Sequence, residues 1–211
     1  SHLDLWQRVA KTDPHATKQF SRAGGFKGTA INQTYLIRLA TEQWGPMGAA
    51  WGVEILEQGL MQGAPILHGD VVIGHEQIHF VRIKLWHPVG EVRATVEHFG
   101  QTTFVGRNSR GVFTDEEAPK KSLTDAIGKA LSLLGFAADV YLGLFDDNKY
   151  VNDRKSEVEE EAKAAKKKAL IATVSAEDLM KAKATLEACK TVPELRAALG
   201  SLGEALRAAT T

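Results

Sequence analysis

The chain has 211 residues, with 26 Lys and Arg against 26 Asp and Glu, 44% hydrophobic residues and a single cysteine. This is the composition of an ordinary globular chain long enough to bury a core, not of a disordered or fibrous one. No run of about 18 apolar residues is present, so no membrane span is expected, and formal neutrality removes the simplest argument for nucleic-acid binding, an overall basic domain.

The opening Ser1-His2-Leu3-Asp4, without Met, reads as a cloning remnant, and no signal peptide is expected. Lone Cys189 has no internal disulfide partner and fits a reducing compartment. Charge is unevenly placed. From Pro14 to Thr41 the chain carries Lys18, Arg22, Lys27 and Arg38 and no acid, and Arg107 and Arg110 lie close together in a Gly-containing segment. Acids gather instead at 115–117, 146–147 and 157–161.

In chain order, Leu3, Trp6, Val9 and Ala10 share one face of a first helix at about 3–11. Residues 12–30, rich in Gly and Thr, read as loop. Ile31, Tyr35, Leu36, Leu39 and Ala40 form a helical stripe over 31–44 that stops at Gly45-Pro46. The period then changes to two: 78–86 and 91–97 flank the Pro88-Val89-Gly90 turn as a β-hairpin, and 48–57 offers a third strand. Leu123, Ile127, Leu131 and Leu134 return to helical spacing over 120–138. Beyond a boundary at about 152–172 the chain is rich in Ala, Glu and Lys. There Ser175 with Asp178, and Thr191 with Glu194, look like capping boxes opening helices at 176–189 and 192–200. The expected class is α+β, with an antiparallel β-meander packed on a long helix over 1–152 and a helical tail over 153–211.

The string His75-Glu76-Gln77-Ile78-His79 matches a zinc-protease motif. That motif chelates only on a helix, where i and i+4 are neighbours. In this β pattern the two histidines stand ~13 Å apart, so a strand-borne pair is the better account. Asp139, Asp146 and Asp147 are of the type that holds magnesium, but no further carboxylate or lysine completes a nuclease pattern and Asp146-Asp147-Asn148-Lys149 reads at least as well as a helix-terminating turn. Trp44, Trp51 and Trp86 sit at core-facing positions, and the lysines at 163–168 read as a solvated helix face. No nucleophile–base arrangement is present, so neither catalysis nor a cofactor is expected.

The stretch Thr124-Asp125-Ala-Ile-Gly-Lys129-Ala130-Leu131, followed by Gly135 and Ala137, resembles a segment of the single-strand annealing proteins typified by eukaryotic Rad fifty-two. Its extension through Asp139 to Val151 looks like the phage-encoded members of that group. Ser21-Arg22-Ala23-Gly24-Gly25 and the helix end Leu39-Ala40, Glu42, Trp44-Gly45 are similar to two further elements of that family, and Trp51 falls where a Trp opens its first strand. The resemblance spans roughly 20–155. It implies a ring- or filament-forming homo-oligomer, without enzymatic activity, that binds single-stranded DNA along a basic groove between sheet and long helix and anneals complementary strands in recombination. It also implies a bacterial cytoplasm as the working compartment and a tail that contacts a single-strand-binding protein or an exonuclease. Of the family's groove positions Lys129 matches, while Gly128 and Tyr35 stand where basic residues are expected. The contact set is therefore taken as Arg22, Lys27, Arg38, Arg107, Arg110, Lys120, Lys121 and Lys129, with no metal ligand. The alternatives are a metal-dependent DNA-processing enzyme built on His75, His79 and the aspartates, and an oligomeric scaffold that does not bind DNA.

Overall fold

Strand alternation runs much further than its densest stretch. In a computed structural model, which describes residues 1–21, 25 and 27–210, β3 (Gly52–His68), β4 (Val71–Val89), β5 (Val92–Asn108) and β6 (Gly111–Thr114) form one antiparallel sheet in sequential order. The central strand β4 has 19 residues, or ~60 Å at 3.3 Å per residue. Its side chains alternate strictly: His79, Val81, Ile83, Leu85 and His87 are buried, while Phe80, Arg82, Lys84 and Trp86 take the opposite face. The expected strand over 48–57 is in fact β3, reaching His68. Gly59, Gly63 and Pro65 imitate a loop there, but an edge strand tolerates proline, and register shifts between Gln62 and Pro65 and between Ile66 and Leu67 absorb the irregularity.

The long helix α3 (Ala118–Ser132) lies across β4 and β5. Its buried face is made of small residues as well as Ile127 and Leu131: Ser122, Ala126, Gly128 and Ala130. Gly100 on β5 explains why. A Cβ placed there would stand 1.9 Å from the Ser122 carbonyl oxygen and 2.5 Å from the Ala126 nitrogen, so helix backbone and strand backbone are in direct contact. The Ser122 hydroxyl donates to the His79 carbonyl across the same contact, 3.1 Å. The helix stops six residues before its expected end, at Ser132, because Gly135 takes φ 95° and Ala137 φ 53°, and Phe136 returns its N–H to the Leu131 carbonyl.

Before the sheet come α1 (Asp4–Val9), a 3-10 turn at Pro14–Ala16, and α2 (Gln33–Trp44), capped by Asn32, whose side chain accepts from the Thr34 N–H at 2.9 Å. The segment read as loop over 12–30 contains a hairpin instead, β1 (Thr17–Ser21) paired with β2 (Lys27–Ile31) from Thr17–Ile31 to Ser21–Lys27. After α3, the short α4 (Ala138–Tyr141) and a 3-10 turn at Leu144–Asp146 lead to α5 (Asn148–Ile171).

The core gathers Val9, Leu36, Trp51, Ile83, Leu131 and Phe136 from these elements. Each such side chain contributes ~1.5–3 kcal/mol by leaving water. Trp44 stacks on His87 at 4.7 Å and tilts against Phe136. Burial pushes the His87 imidazole below its ordinary pKa, with the Pro88 carbonyl opposing weakly. Folding therefore disfavours the protonated ring. The stability contributed by neutral His87 is complete above about pH 6.5 and is lost as pH falls through the lower folded value. Urea midpoints taken at pH 7.5 and pH 5 should show this loss, and His87→Gln should flatten it. An unchanged difference between the two pH values in the variant would remove His87 as its source.

The chain divides into two units, Ser1–Val151 and Asn152–Thr211. The second holds the remainder of α5, followed by α6 (Ala176–Glu187), α7 (Val192–Ser201) and α8 (Glu204–Thr210). Both expected caps are present: Ser175 Oγ accepts from the Asp178 N–H at 3.0 Å and Thr191 Oγ1 from the Glu194 N–H at 3.4 Å. Among the described residues no helix is long and apolar enough to cross a membrane.

Candidate nucleic-acid interface

Two lysines from distant parts of the chain reach one cleft. It has a volume of about 440 Å³ and lies between the β1–β2 hairpin, the start of α2, and the faces of α3 and α4. Lys27 enters at the start of β2 and Lys129 from the last turn of α3. Phe20, Thr29, Gln33 and Tyr141 line it with them. Asp125 and Asp146 also line it, so the two lysines are balanced by two carboxylates. The Lys129 ammonium rests 5.0 Å from the centre of the Tyr141 ring, within cation–π range. Burial, and then the Asp125 charge, raise the Tyr141 phenol above its usual pKa, so it stays neutral near pH 7. Asp125 also accepts from the Gln101 N–H at 3.4 Å, tying α3 to β5 at the edge of the cleft.

Gly128 has a structural reason to be small. A Cβ at that position would lie 2.2 Å from Gln33 Oε1, so the Gln33 side chain occupies the space a larger residue would need. Tyr35 is likewise committed. Its hydroxyl accepts from the Asp13 N–H at 3.0 Å, and its ring packs beside the Arg38 guanidinium at 5.4 Å.

Among the described residues, the other sequence-derived candidates do not converge on the cleft. Arg22 lies outside the described residues. Arg38 sits on the exposed side of α2, 3.3 Å from Glu42. Arg107 donates to the Leu67 carbonyl, and Arg110 occupies the β5–β6 turn, where its N–H donates to Asn108. Lys120 and Lys121 stand in the first turns of α3, paired with Glu117 at 2.9 Å and Asp115 at 2.6 Å. Hydrogen bonding from Lys121 holds the Asp115 carboxyl below the usual range. Both lysines are exposed and their pairs are screened by solvent, so these cations remain available to a polyanion.

His75 and His79 lie on β4, as the strand reading expects, and the His79 side chain is buried. Asp139 is buried and accepts from Thr12 and Tyr150, whereas Asp147 accepts from the Lys149 N–H as α5 begins. Among the described residues no three His, Cys, Asp or Glu side chains come together as a metal site. The residues that sequence reasoning missed are Gln33, Thr29 and Tyr141. All three are uncharged, and only the Tyr141 segment carried any signal, as part of the resemblance. No family model matches the chain, and no curated protein matches it.

Proposed function

We propose that the first unit binds single-stranded DNA in the cleft holding Lys27 and Lys129 and anneals complementary strands as an assembly of copies related to the Rad fifty-two group. The observation that carries this reading is the convergence of those two lysines beside an open aromatic ring. Contacts from lysine to phosphate are independent of sequence and leave base edges free for a second strand. The resemblance over Thr124–Ala137, and the order of helix, meander and long helix, support the same reading.

Assembly supplies what one neutral protomer lacks, because a weak contact repeated along one strand binds by multivalency. The outer edge of β3 favours such assembly: it runs 17 residues without a strand partner among the described residues and exposes Ile55, Leu60 and Met61. A long apolar edge is a template for another chain. The test is annealing of complementary dye-labelled oligonucleotides. Lys27→Ala combined with Lys129→Ala should slow annealing at least ~tenfold, about 1.4 kcal/mol, with the thermal melt unchanged. Equal rates in variant and wild type would remove the cleft from the function.

A further inference from the structure

Tyr141 has two unlike ends. Its hydroxyl side is desolvated and feels Asp125, whereas the residue as a whole keeps 43% of its surface exposed and lines the cleft. The ring is carried on a helix that is anchored to its neighbours. Tyr141 ends α4, whose second residue, Asp139, is buried and fastened by hydrogen bonds from Thr12 N (2.8 Å), Thr12 Oγ1 (2.6 Å) and Tyr150 Oη (2.9 Å). The ring also carries a displaceable occupant, the Lys129 ammonium over its face.

We propose that Tyr141 is a stacking platform for one unpaired base, and that this makes the cleft selective for single-stranded over duplex DNA; the proposal rests on the DNA-binding reading of the same cleft. When a strand enters, the base takes the ring face and the Lys129 ammonium moves from the ring to the neighbouring phosphate, so neither group loses its partner. Every base has a π-face, so the contact is indifferent to sequence. In a duplex, each base is already stacked on both sides and paired, and it reaches the ring only by being extruded, which costs unpairing and unstacking. A stacked base still presents its pairing edge to a complementary strand, as annealing requires.

The experiment compares an ordinary oligonucleotide with one of equal length made of abasic nucleotides, both single-stranded, by fluorescence anisotropy on the full chain. Wild type is expected to bind the base-bearing strand about tenfold or more tightly over the abasic one, in line with stacking. Tyr141→Phe should keep that preference, and Tyr141→Ala should lose it. Tyr141→Leu, which keeps apolar bulk without a π-face, should lose it too and guards against a simple packing defect. Equal wild-type affinity for both strands, or an undiminished preference in Tyr141→Ala and Tyr141→Leu, overturns the platform and leaves phosphate binding by the lysines standing. Binding of neither strand by wild type overturns the DNA reading itself.

Discussion

Gly100→Ala is expected to destabilise the first unit by ~3 kcal/mol or more, a large share of a typical folding free energy. The new methyl group would meet Ser122 O at 1.9 Å, Ala126 N at 2.5 Å and Ala126 Cα at 3.0 Å. All three are backbone atoms, so no side-chain rotation relieves the contact and α3 must move off the sheet as a body. That shift weakens the Ser122–His79 hydrogen bond and opens the layer holding Ala126, Ile127, Ala130 and Leu131. In a unit of this size each kcal/mol lowers the melting temperature by ~2–4 °C, so a drop of ~6–12 °C is expected in circular dichroism. Gly74→Ala is the matched control, since nothing lies within 4 Å of a Cβ at that strand position. Equal melting temperatures for Gly100→Ala and wild type would contradict the close approach of helix and sheet.

The second large effect belongs to Asp139→Ala. This carboxylate, 4% exposed, accepts from Thr12 N, Thr12 Oγ1, Tyr150 Oη and the Val140 N–H. It joins the segment after α1 to the first turn of α5 by way of α4. Removing it takes the acceptor from the two buried Thr12 donors, at ~1–3 kcal/mol for each group that water does not reach, and from the part-buried Tyr150 hydroxyl and Val140 N–H as well. A loss of ~3 kcal/mol or more is expected in the urea midpoint. Asp139→Asn keeps the shape but turns one acceptor into a donor facing donors, and should fall between wild type and Ala. Because Asp139 also holds α4, both variants should weaken oligonucleotide binding at Tyr141. A midpoint unchanged in Asp139→Ala would show that the bonded carboxylate does not hold these segments together.

The α+β class and its densest elements were legible because their patterns are local. β-branched and aromatic residues alternate through Ile78–Trp86, and the Ser175 and Thr191 caps announce α6 and α7. What escaped is where tertiary contacts override local preference. Gly28 and Thr29 read as loop, yet they sit in a ladder whose partner is Phe20 and its neighbours. Pro65 reads as a stop, yet an edge strand accommodates it. The helical stripe Leu123–Leu134 suggested a leucine face, whereas the approach at Gly100 demands alanines and a serine. In the site, charge placement named Lys27 and the resemblance named Lys129, along with six other cations, and neither had a means of pairing those two. Only the hairpin of β1 and β2 folded beside α3 brings them together. Tyr141 carries no charge, and its meaning depends on Lys129 standing over its ring, a contact that sequence spacing does not encode.

The claim that a chain of zero net charge binds a polyanion through one local cleft is tested most directly by salt dependence. Binding of a labelled oligothymidylate to the full chain, measured from 50 to 300 mM salt, gives log K against log salt, with a slope of roughly −0.7 per phosphate neutralised on a single strand. Lys27→Ala with Lys129→Ala should lower the affinity and flatten that slope by ~1.4 for each protomer's site, the share of two phosphates. An identical slope and affinity in wild type and the double variant would contradict it.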